Sequence, residues 1–243
     1  MNKTKEILTT VFCTMFYVPL LSCSVRQRIR LTPDNTHINW DLHDNAVQHD
    51  YSAIASIIAR NSCAIMGALI NKELRTKFKK LKDASAPGEA FVHLLEQHDQ
   101  HKLAQVFRQS ACLQKVTPGI LPLMAKLKAL NYKQYYCSNI GPEFLEDLKE
   151  QIPELFEYLP EGTVAVYDPL THSVIAKPNR KFYDMHNYTY NPLQIQRPIL
   201  VDNRLENVLA ARQAGWCGIH FTGNVPQLYK EFQKLRIEIY PDS

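Results

Sequence analysis

Closely spaced cysteine pairs are missing from this sequence. Its six cysteines are scattered over 243 residues, at Cys13, Cys23, Cys63, Cys112, Cys137 and Cys217. A structural zinc site usually needs ligands in CxxC-like pairs, and a disulfide framework is typical of much shorter secreted chains. The pattern therefore argues against a zinc site and gives no sign of a disulfide framework. It predicts ordinary apolar positions for every cysteine except Cys23.

A strong net charge, internal repeats and low-complexity segments are also missing. The formal net charge is +4, and 45% of the residues are hydrophobic against 21% charged. No strip of interleaved aromatic and basic residues is present, so we expect no nucleic-acid partner. The length suits one large globular domain or a domain with an insertion.

The longest apolar run, from Ile7 to Leu21, is shorter than the ~20 residues of a membrane-spanning helix. It follows Lys3 and Lys5 and ends in Leu-Leu-Ser-Cys, which resembles the lipobox of bacterial lipoproteins. This pattern predicts a signal peptide over residues 1–22, a lipid anchor at Cys23 and an exported, membrane-anchored protein. The alternative is a buried N-terminal helix in a cytoplasmic protein. Residues 23–35 are polar and predict a linker.

Strand and helix patterns alternate along most of the chain. Ile38, Trp40 and Leu42 alternate with polar residues, as in a strand, whereas residues 51–113 show only helical spacing. Strands and helices then alternate to the end of the sequence, and one of the predicted strands runs from Thr163 to Tyr167. This order predicts an α/β fold with a doubly wound parallel sheet. We assign residues 36–50 and 114–243 to its Rossmann-like core and residues 51–113 to an inserted α-helical cap.

Four chemically capable residues follow or precede predicted strands. Asp41, Ser138 and Asp202 stand at strand ends, and Lys177 precedes the strand that leads to Asp202. The carboxyl ends of parallel strands meet in one crevice. There Asp41 could attack an electrophile, Asp202 could hold magnesium and Lys177 could neutralise charge. Ser138 and Asn139, before a helix, would suit phosphate oxygens. Taken singly, each residue could equally be a turn, cap or surface residue.

A basic segment lies in the predicted cap. Between Asn71 and Asp83 it contains six lysines and arginines: Lys72, Arg75, Lys77, Lys79, Lys80 and Lys82. The segment predicts a solvated helix face. The alternative is a basic lid that attracts anionic substrates.

Three segments resemble motifs of the haloacid dehalogenase (HAD) superfamily of hydrolases. PGILPLMAKLKALNYKQYYCSNIGPEF is similar to the segment that ends in the second motif, and KPNRKFY is similar to the third. ILVDNRLENVLAARQAGWCGI closely resembles the fourth. The resemblance covers about residues 36–222, and the long interval between Asp41 and Ser138 leaves room for a helical cap.

The resemblance implies a phosphatase that works through an aspartyl-phosphate. Asp41 would attack phosphorus, and Mg²⁺ would be held by Asp41, Asp202 and the backbone carbonyl of His43. Ser138 and Asn139 would contact the phosphate of a small phosphorylated substrate, and Lys177 would assist catalysis. The cap would close over the substrate and set specificity.

The first motif departs from the family pattern. His43 stands where phosphatases of the family have an acid/base aspartate, and Asp44 stands where glycine is usual. Asn45 and Ala46 are also unusual, and Asn203 replaces the second acid of the fourth motif. His43 could still donate a proton, because its unperturbed pKa is near 6.5.

These departures leave alternatives to a working phosphatase. One is a catalytically weakened binding or scaffold protein that retains the fold. Another is a hydrolase of carbon–halogen bonds, which would need the nucleophile Asp41 but no metal.

Overall fold

The computed structural model of the protein describes residues 31–62, 65, 71–111, 113–168, 170–171 and 173–241. Contacts divide the chain into a unit ending at Leu31 and a unit from Thr32 to Ser243, and all described residues except Leu31 belong to the second. The predicted signal peptide over residues 1–22 and the lipid anchor at Cys23 lie outside the described residues and stay predictions. No described helix is both long and apolar enough to cross a membrane.

A five-stranded parallel sheet forms the centre of the fold, with strand order β5-β4-β1-β8-β9. Its strands are β1 (Thr36–Trp40), β4 (Lys133–Ser138), β5 (Gly162–Val164), β8 (Arg197–Asp202) and β9 (Cys217–His220). Every residue of β1 is buried, as is β8 from Pro198 onward. Such continuous burial is expected of central parallel strands with helices on both faces.

Two antiparallel strand pairs lie outside the central sheet. One pairs β2 (Val47–His49) with β3 (Gln114–Val116), and the other pairs β6 (Val166–Asp168) with β7 (Ser173–Ile175). In the first pair, β2 precedes and β3 follows the helical segment that the sequence predicts as a cap. Because these two strands pair with each other, the chain enters and leaves that segment at one place.

Ten helices occur among the described residues. Four fall within residues 51–111: α1 (Tyr51–Arg60), α2 (Lys72–Asp83), α3 (Gly88–Gln97) and α4 (His101–Ala111). Six accompany the sheet: α5 (Ile120–Ala129), α6 (Pro142–Gln151), α7 (Pro153–Phe156), α8 (Arg180–Tyr190), α9 (Leu205–Gln213) and α10 (Val225–Lys234).

Helices cover both faces of the sheet. On one face Leu200 packs in a buried cluster with Phe182, Tyr183 and Trp216. Elsewhere in the core the Trp40 and Phe232 rings lie 6.2 Å apart between centroids, which brings α10 against β1. The α/β fold with a parallel sheet is therefore confirmed.

One predicted strand differs from the structure. The sequence predicts a single strand from Thr163 to Tyr167, but the chain forms β5 and β6 in two different sheets. Ala165 separates them, and its N–H donates to the carbonyl of Ile140 rather than to a strand of the sheet. The chain therefore turns away after three residues in the central sheet.

Candidate functional site

Asp41, Ser138 and Asp202 are brought together at the carboxyl edge of the sheet. In β1, Trp40 pairs with Tyr136 of β4 on one side and with Val201 of β8 on the other. Asp41 follows Trp40, and its N–H donates to the Val201 carbonyl at 2.9 Å. The register therefore places the three predicted side chains on adjacent strands at one edge.

Lys177 joins the two acids. Its Nζ lies 3.0 Å from Asp41 Oδ1 and 2.6 Å from Asp202 Oδ2, and the lysine side chain is fully buried. The two carboxylate oxygens share one nitrogen neighbour, so they lie within about 6 Å of each other, close enough to approach one ion with ligands at ~2.0–2.6 Å. Burial alone would lower the pKa of Lys177, but Asp202 and then Asp41 more than offset this and raise it. The two carboxylates therefore favour the charged form of the lysine.

Asn139 fixes the backbone of Lys177. Its side-chain oxygen accepts from the Lys177 N–H at 2.7 Å, and its side-chain nitrogen donates to the Lys177 carbonyl at 2.8 Å. Both ends of the Asn139 amide are thus committed to holding the lysine in place. A phosphate contact at this position is therefore better supplied by other groups than by the Asn139 side chain.

Asp202 is held rigidly by its own neighbourhood. Its Oδ1 accepts from the Arg204 N–H at 2.8 Å, and the Asn207 side-chain nitrogen lies 3.1 and 3.0 Å from Oδ1 and Oδ2. Burial raises the pKa of Asp202, and the Lys177 ammonium opposes that rise. Hydrogen bonds to both oxygens fix the direction in which this carboxylate faces Asp41.

Asp41 keeps one carboxylate oxygen without a protein partner among the described residues. Its Oδ1 accepts from the Leu42 N–H at 2.9 Å and faces Lys177. The side chain is 9% exposed, so a reactant can reach it. Asn45 anchors the loop that follows, since its side-chain nitrogen donates to the Val201 carbonyl at 2.8 Å. This arrangement suits a nucleophile held in one orientation.

His43 is half-buried and paired with Gln114. The Gln114 side-chain nitrogen lies 3.0 Å from His43 Nε2 and 2.6 Å from the Ala111 carbonyl. Only an NH₂ group can satisfy that carbonyl, and an amide nitrogen only donates. His43 Nε2 is therefore an acceptor, and the ring proton resides on Nδ1. Burial, with a smaller effect from His49, lowers the pKa of His43 to about 4.

Asp44 occupies a left-handed backbone position. Its φ is 54°, in the region that favours glycine and that aspartate tolerates better than most residues. Its carboxylate accepts from the Tyr51 hydroxyl at 3.2 Å. Asp44 therefore adopts a backbone conformation that glycine would also tolerate, and its side chain contacts Tyr51 of α1.

Ser138 is fully buried, and its hydroxyl oxygen has no hydrogen-bond partner. An unpaired buried hydroxyl is costly. Its position at the end of β4, one strand away from Asp41, suits an additional oxygen ligand such as a phosphate.

The oxygen atoms of this site are of the kind that bind a divalent cation. Two carboxylates and one ammonium leave a net charge of −1, and hard cations prefer oxygen ligands. Among the described residues no three His, Cys, Asp or Glu side chains converge as a metal cluster. A cation would therefore depend on Asp41, Asp202 and a backbone carbonyl such as that of His43. The buried and unpartnered Asn203 Oδ1 marks a further oxygen beside Asp202.

The basic segment of α2 lies on a solvated face. All six lysines and arginines are exposed, and only Leu74 of this helix is buried. Lys77 pairs with Glu73 at 2.8 Å within the same helix. This arrangement supports the solvated face over the basic lid.

Three neighbours of the site are absent from the predicted set of site residues. Asn207 reaches Asp202 from the first turn of α9, Asn45 ties the loop to β8, and Gln114 meets His43 across 71 positions. Only Asn207 could have been suspected, because it lies in the Glu-Asn-Val segment that resembles the fourth motif.

Comparisons with known proteins bear on the fold and on the class of protein. No protein-family model matches the chain. The sesquiterpene phosphatase astK of Aspergillus oryzae is 26% identical over 165 residues, which is 66% of this chain and 78% of that protein.

Solved structures share the fold at low sequence identity. A HAD-like family hydrolase of Porphyromonas gingivalis has a TM-score of 0.54 and 14% identity, covering 86% of this chain and 100% of its own. The HAD-hydrolase YfnB of Bacillus subtilis, bound to magnesium, has a TM-score of 0.52 and 14% identity, covering 84% and 99%. The chain has the fold of the haloacid dehalogenase superfamily of hydrolases, which confirms the resemblance seen in its sequence.

Proposed function

We propose that the protein is a magnesium-dependent phosphatase that acts on a small phosphorylated compound. The observation that carries this proposal is the contact of one buried lysine with Asp41 at 3.0 Å and with Asp202 at 2.6 Å. Ligands bind at the carboxyl edge of a parallel sheet, and burying these charges costs free energy that a purely structural role does not require. The likeness to a phosphatase supports the same conclusion.

Asp41 is the proposed nucleophile. Its free carboxylate oxygen forms a bond to the phosphorus of a phosphomonoester while the bond from phosphorus to the alcohol oxygen breaks, and the alcohol leaves with one proton. Water then attacks the phosphorus, which restores the Asp41 carboxylate and releases inorganic phosphate. Lys177 stabilises the negative charge of both steps, and Ser138 donates its hydroxyl hydrogen to a phosphate oxygen. Magnesium, when bound by Asp41, Asp202 and the His43 carbonyl, supplies further positive charge.

His43 is the proposed proton carrier. With a pKa of about 4 in the free protein, its imidazole is neutral near pH 7. A phosphate dianion beside it raises that pKa, because an opposite charge favours the protonated ring. The imidazole can then take up a proton along with the substrate and give it to the departing alcohol.

The test is phosphate release from a generic aryl phosphate by the full chain. We expect activity with Mg²⁺, loss of activity on chelation, and a decrease of about 10³-fold or more in Asp41→Asn, since loss of a nucleophile removes the covalent path. Asp44→Asn is the matched control, because it neutralises an exposed carboxylate three residues away that contacts Tyr51 rather than Lys177. Equal activity in wild type and Asp41→Asn would contradict the proposal, and activity that survives chelation would favour the metal-free alternative.

A weakened, binding-only protein is the second candidate. The observation in its favour is that Gln114 donates to His43 Nε2, which opposes protonation of that nitrogen. His43→Asp separates the two candidates. A decrease in activity would establish His43 as the working acid, and an increase of ~10²–10⁴-fold, the usual range for general acid–base help, would identify a site that has lost its proton carrier.

A further inference from the structure

The chain contains a cavity of about 560 Å³ that reaches the residues beside the site. His43 and Asn139 line one part of it, and these residues follow Asp41 and Ser138 closely in the chain. The remaining wall is contributed mainly by helices α1, α3, α4 and α6. A ligand whose phosphate faces Asp41 would therefore extend its other end between these helices.

The wall of the cavity is mostly hydrocarbon. Its apolar side chains include Ile54, Ile58, Phe91, Val106, Phe107 and Phe144. No Asp, Glu, Lys or Arg among the described residues lines it. The basic residues of α2 are exposed and take no part in this wall.

Most of the few polar side chains of the wall already have partners, and Nδ1 of His49 is the exception. The Ser110 hydroxyl donates to the Val106 carbonyl at 2.9 Å, and the Tyr51 hydroxyl donates to Asp44 at 3.2 Å. The Asn139 amide is occupied at both ends by the backbone of Lys177. A substrate rich in hydroxyl groups would lose its hydrogen bonds to water here and regain few of them.

Helix α1 also presents exposed apolar side chains to the cavity. It contains Ile54, Ile57 and Ile58, yet none of its residues is buried, and Ile58 is 47% exposed. Ile54 and Ile58 face the cavity, whereas Ile57 does not line it. A ligand of matching character would remove this exposed apolar surface from water.

We infer that the substrate is the phosphomonoester of a long apolar alcohol, whose hydrocarbon part occupies this cavity. The inference rests on the proposed phosphatase function and adds the substrate class to it. Apolar burial is worth about a fourfold gain in affinity for each methylene that leaves water. The cavity therefore predicts a steep preference for longer chains over sugar phosphates of equal charge.

The experiment compares kcat/KM for butyl, hexyl and octyl phosphate and for glucose 6-phosphate, with Mg²⁺ and the full chain. We expect an increase of up to about fourfold for each added methylene and the lowest value for the sugar phosphate. Ile54→Asn should flatten the chain-length dependence, with the largest decrease in kcat/KM for octyl phosphate. Ile57→Asn is the matched control, with the same substitution on the same helix outside the cavity, and should keep the wild-type dependence.

Two kinds of failure remain distinct. Hydrolysis of all four compounds with equal kcat/KM, or a preference for the sugar phosphate, would overturn the substrate class and leave the phosphatase proposal intact. Absence of hydrolysis for every compound would overturn the phosphatase proposal. In that case, calorimetry on Asp41→Asn decides the cavity's role, because tighter binding of octyl than of butyl phosphate supports the apolar ligand and equal binding rejects it.

Discussion

At the scale of single residues, Gln114 favours the neutral form of His43 through one hydrogen bond. The Gln114 amide must present its nitrogen to the Ala111 carbonyl, and the same nitrogen donates to His43 Nε2. Burial already lowers the pKa of the imidazole to about 4. A second proton on His43 would place two donors face to face, so Gln114 adds to the preference for the neutral ring with its proton on Nδ1.

Replacing this amide with an acceptor should reverse the preference. In Gln114→Glu a carboxylate faces His43 Nε2, and an opposite charge at this distance raises the pKa of a neighbouring group by about 1–3. Nitrogen and carbon NMR of the imidazole should show the proton moving to Nε2 and titration at higher pH. Gln114→Met is the control, because it removes the amide without adding charge and leaves burial in place. The same titration curve in both variants would show that Gln114 has no part in setting the pKa of His43.

The residues that carry the chemistry were predictable, while those that orient them were not. Asp41, Ser138, Lys177 and Asp202 stand beside strand ends, and strand ends in a parallel sheet converge by geometry alone. Contacts of Gln114 with His43 and of Asn45 with β8 depend on the conformation of the loop after β1. No local sequence pattern specifies that conformation. The structure therefore adds the hydrogen bonds that turn a set of residues into a site.

At the scale of elements, a glutamate from α3 caps a helix of the core. Helix α6 begins after Gly141, which has no side chain to cap it. Glu89 Oε1 instead accepts from the Phe144 N–H at 2.8 Å. A carboxylate there also complements the positive end of the helix dipole. A Cβ on Gly141 would overlap this carboxylate, so the two residues form one contact between the helical segment and the core.

Substitutions at Glu89 and Gly141 should therefore be coupled. Glu89→Ala should lower the free energy of unfolding by about 1–2 kcal/mol, the usual loss for a helix cap, and Glu89→Gln should lose less because its side-chain oxygen still accepts. Gly141→Ala should cost about 1–3 kcal/mol from overpacking in the wild type and clearly less in Glu89→Ala. Urea unfolding of the four members of the cycle measures this. Additive effects would show that the two residues do not share a contact.

The sequence predicted the helices and main strands better than their connections. Alternation predicted β1, a fully apolar run predicted β8, and helical spacing predicted the segment after residue 51. The pairing of β2 with β3 escaped notice, because three-residue strands are too short to show alternation. One continuous apolar pattern spans β5 and β6, so the sequence does not indicate the break at Ala165, whose N–H donates to the Ile140 carbonyl.

At the scale of the whole molecule, the two ends of the sheet bury ionisable side chains in different charge states. The carboxyl edge holds the charged site, while buried neutral histidines lie near the start of β1. His37 and His186 have ring centroids 5.6 Å apart. His37 Nδ1 contacts Gln196 at 2.8 Å and His186 Nδ1 contacts Thr163 at 2.9 Å, yet Nε2 of each ring is buried without a partner.

Burial lowers the pKa of His37 to about 4 and that of His186 to about 3. The folded protein therefore takes up protons at these rings less readily than the unfolded chain, whose histidines have pKa values near 6.5. The contribution of these two rings to the free energy of unfolding is therefore most favourable above pH 6.5. It decreases as the pH falls toward 4 for His37 and toward 3 for His186. Each such histidine contributes a slope of about 1.4 kcal/mol per pH unit within that window.

Removing one of the two rings should reduce the acid sensitivity of the fold. In His186→Phe the aromatic packing against Tyr135, Tyr190 and Trp216 can persist, while the titrating group is gone. Between pH 6 and 4.5 the free energy of unfolding of the wild type decreases with falling pH. In His186→Phe we expect this slope to be smaller by about 1.4 kcal/mol per pH unit. The loss of the Thr163 contact changes the absolute stability but not this slope. Urea unfolding across this range measures the slope. His101→Phe, at an exposed position, is the matched control. An unchanged slope in His186→Phe would mean that His186 is already protonated in the folded protein, so that acid sensitivity arises at other groups.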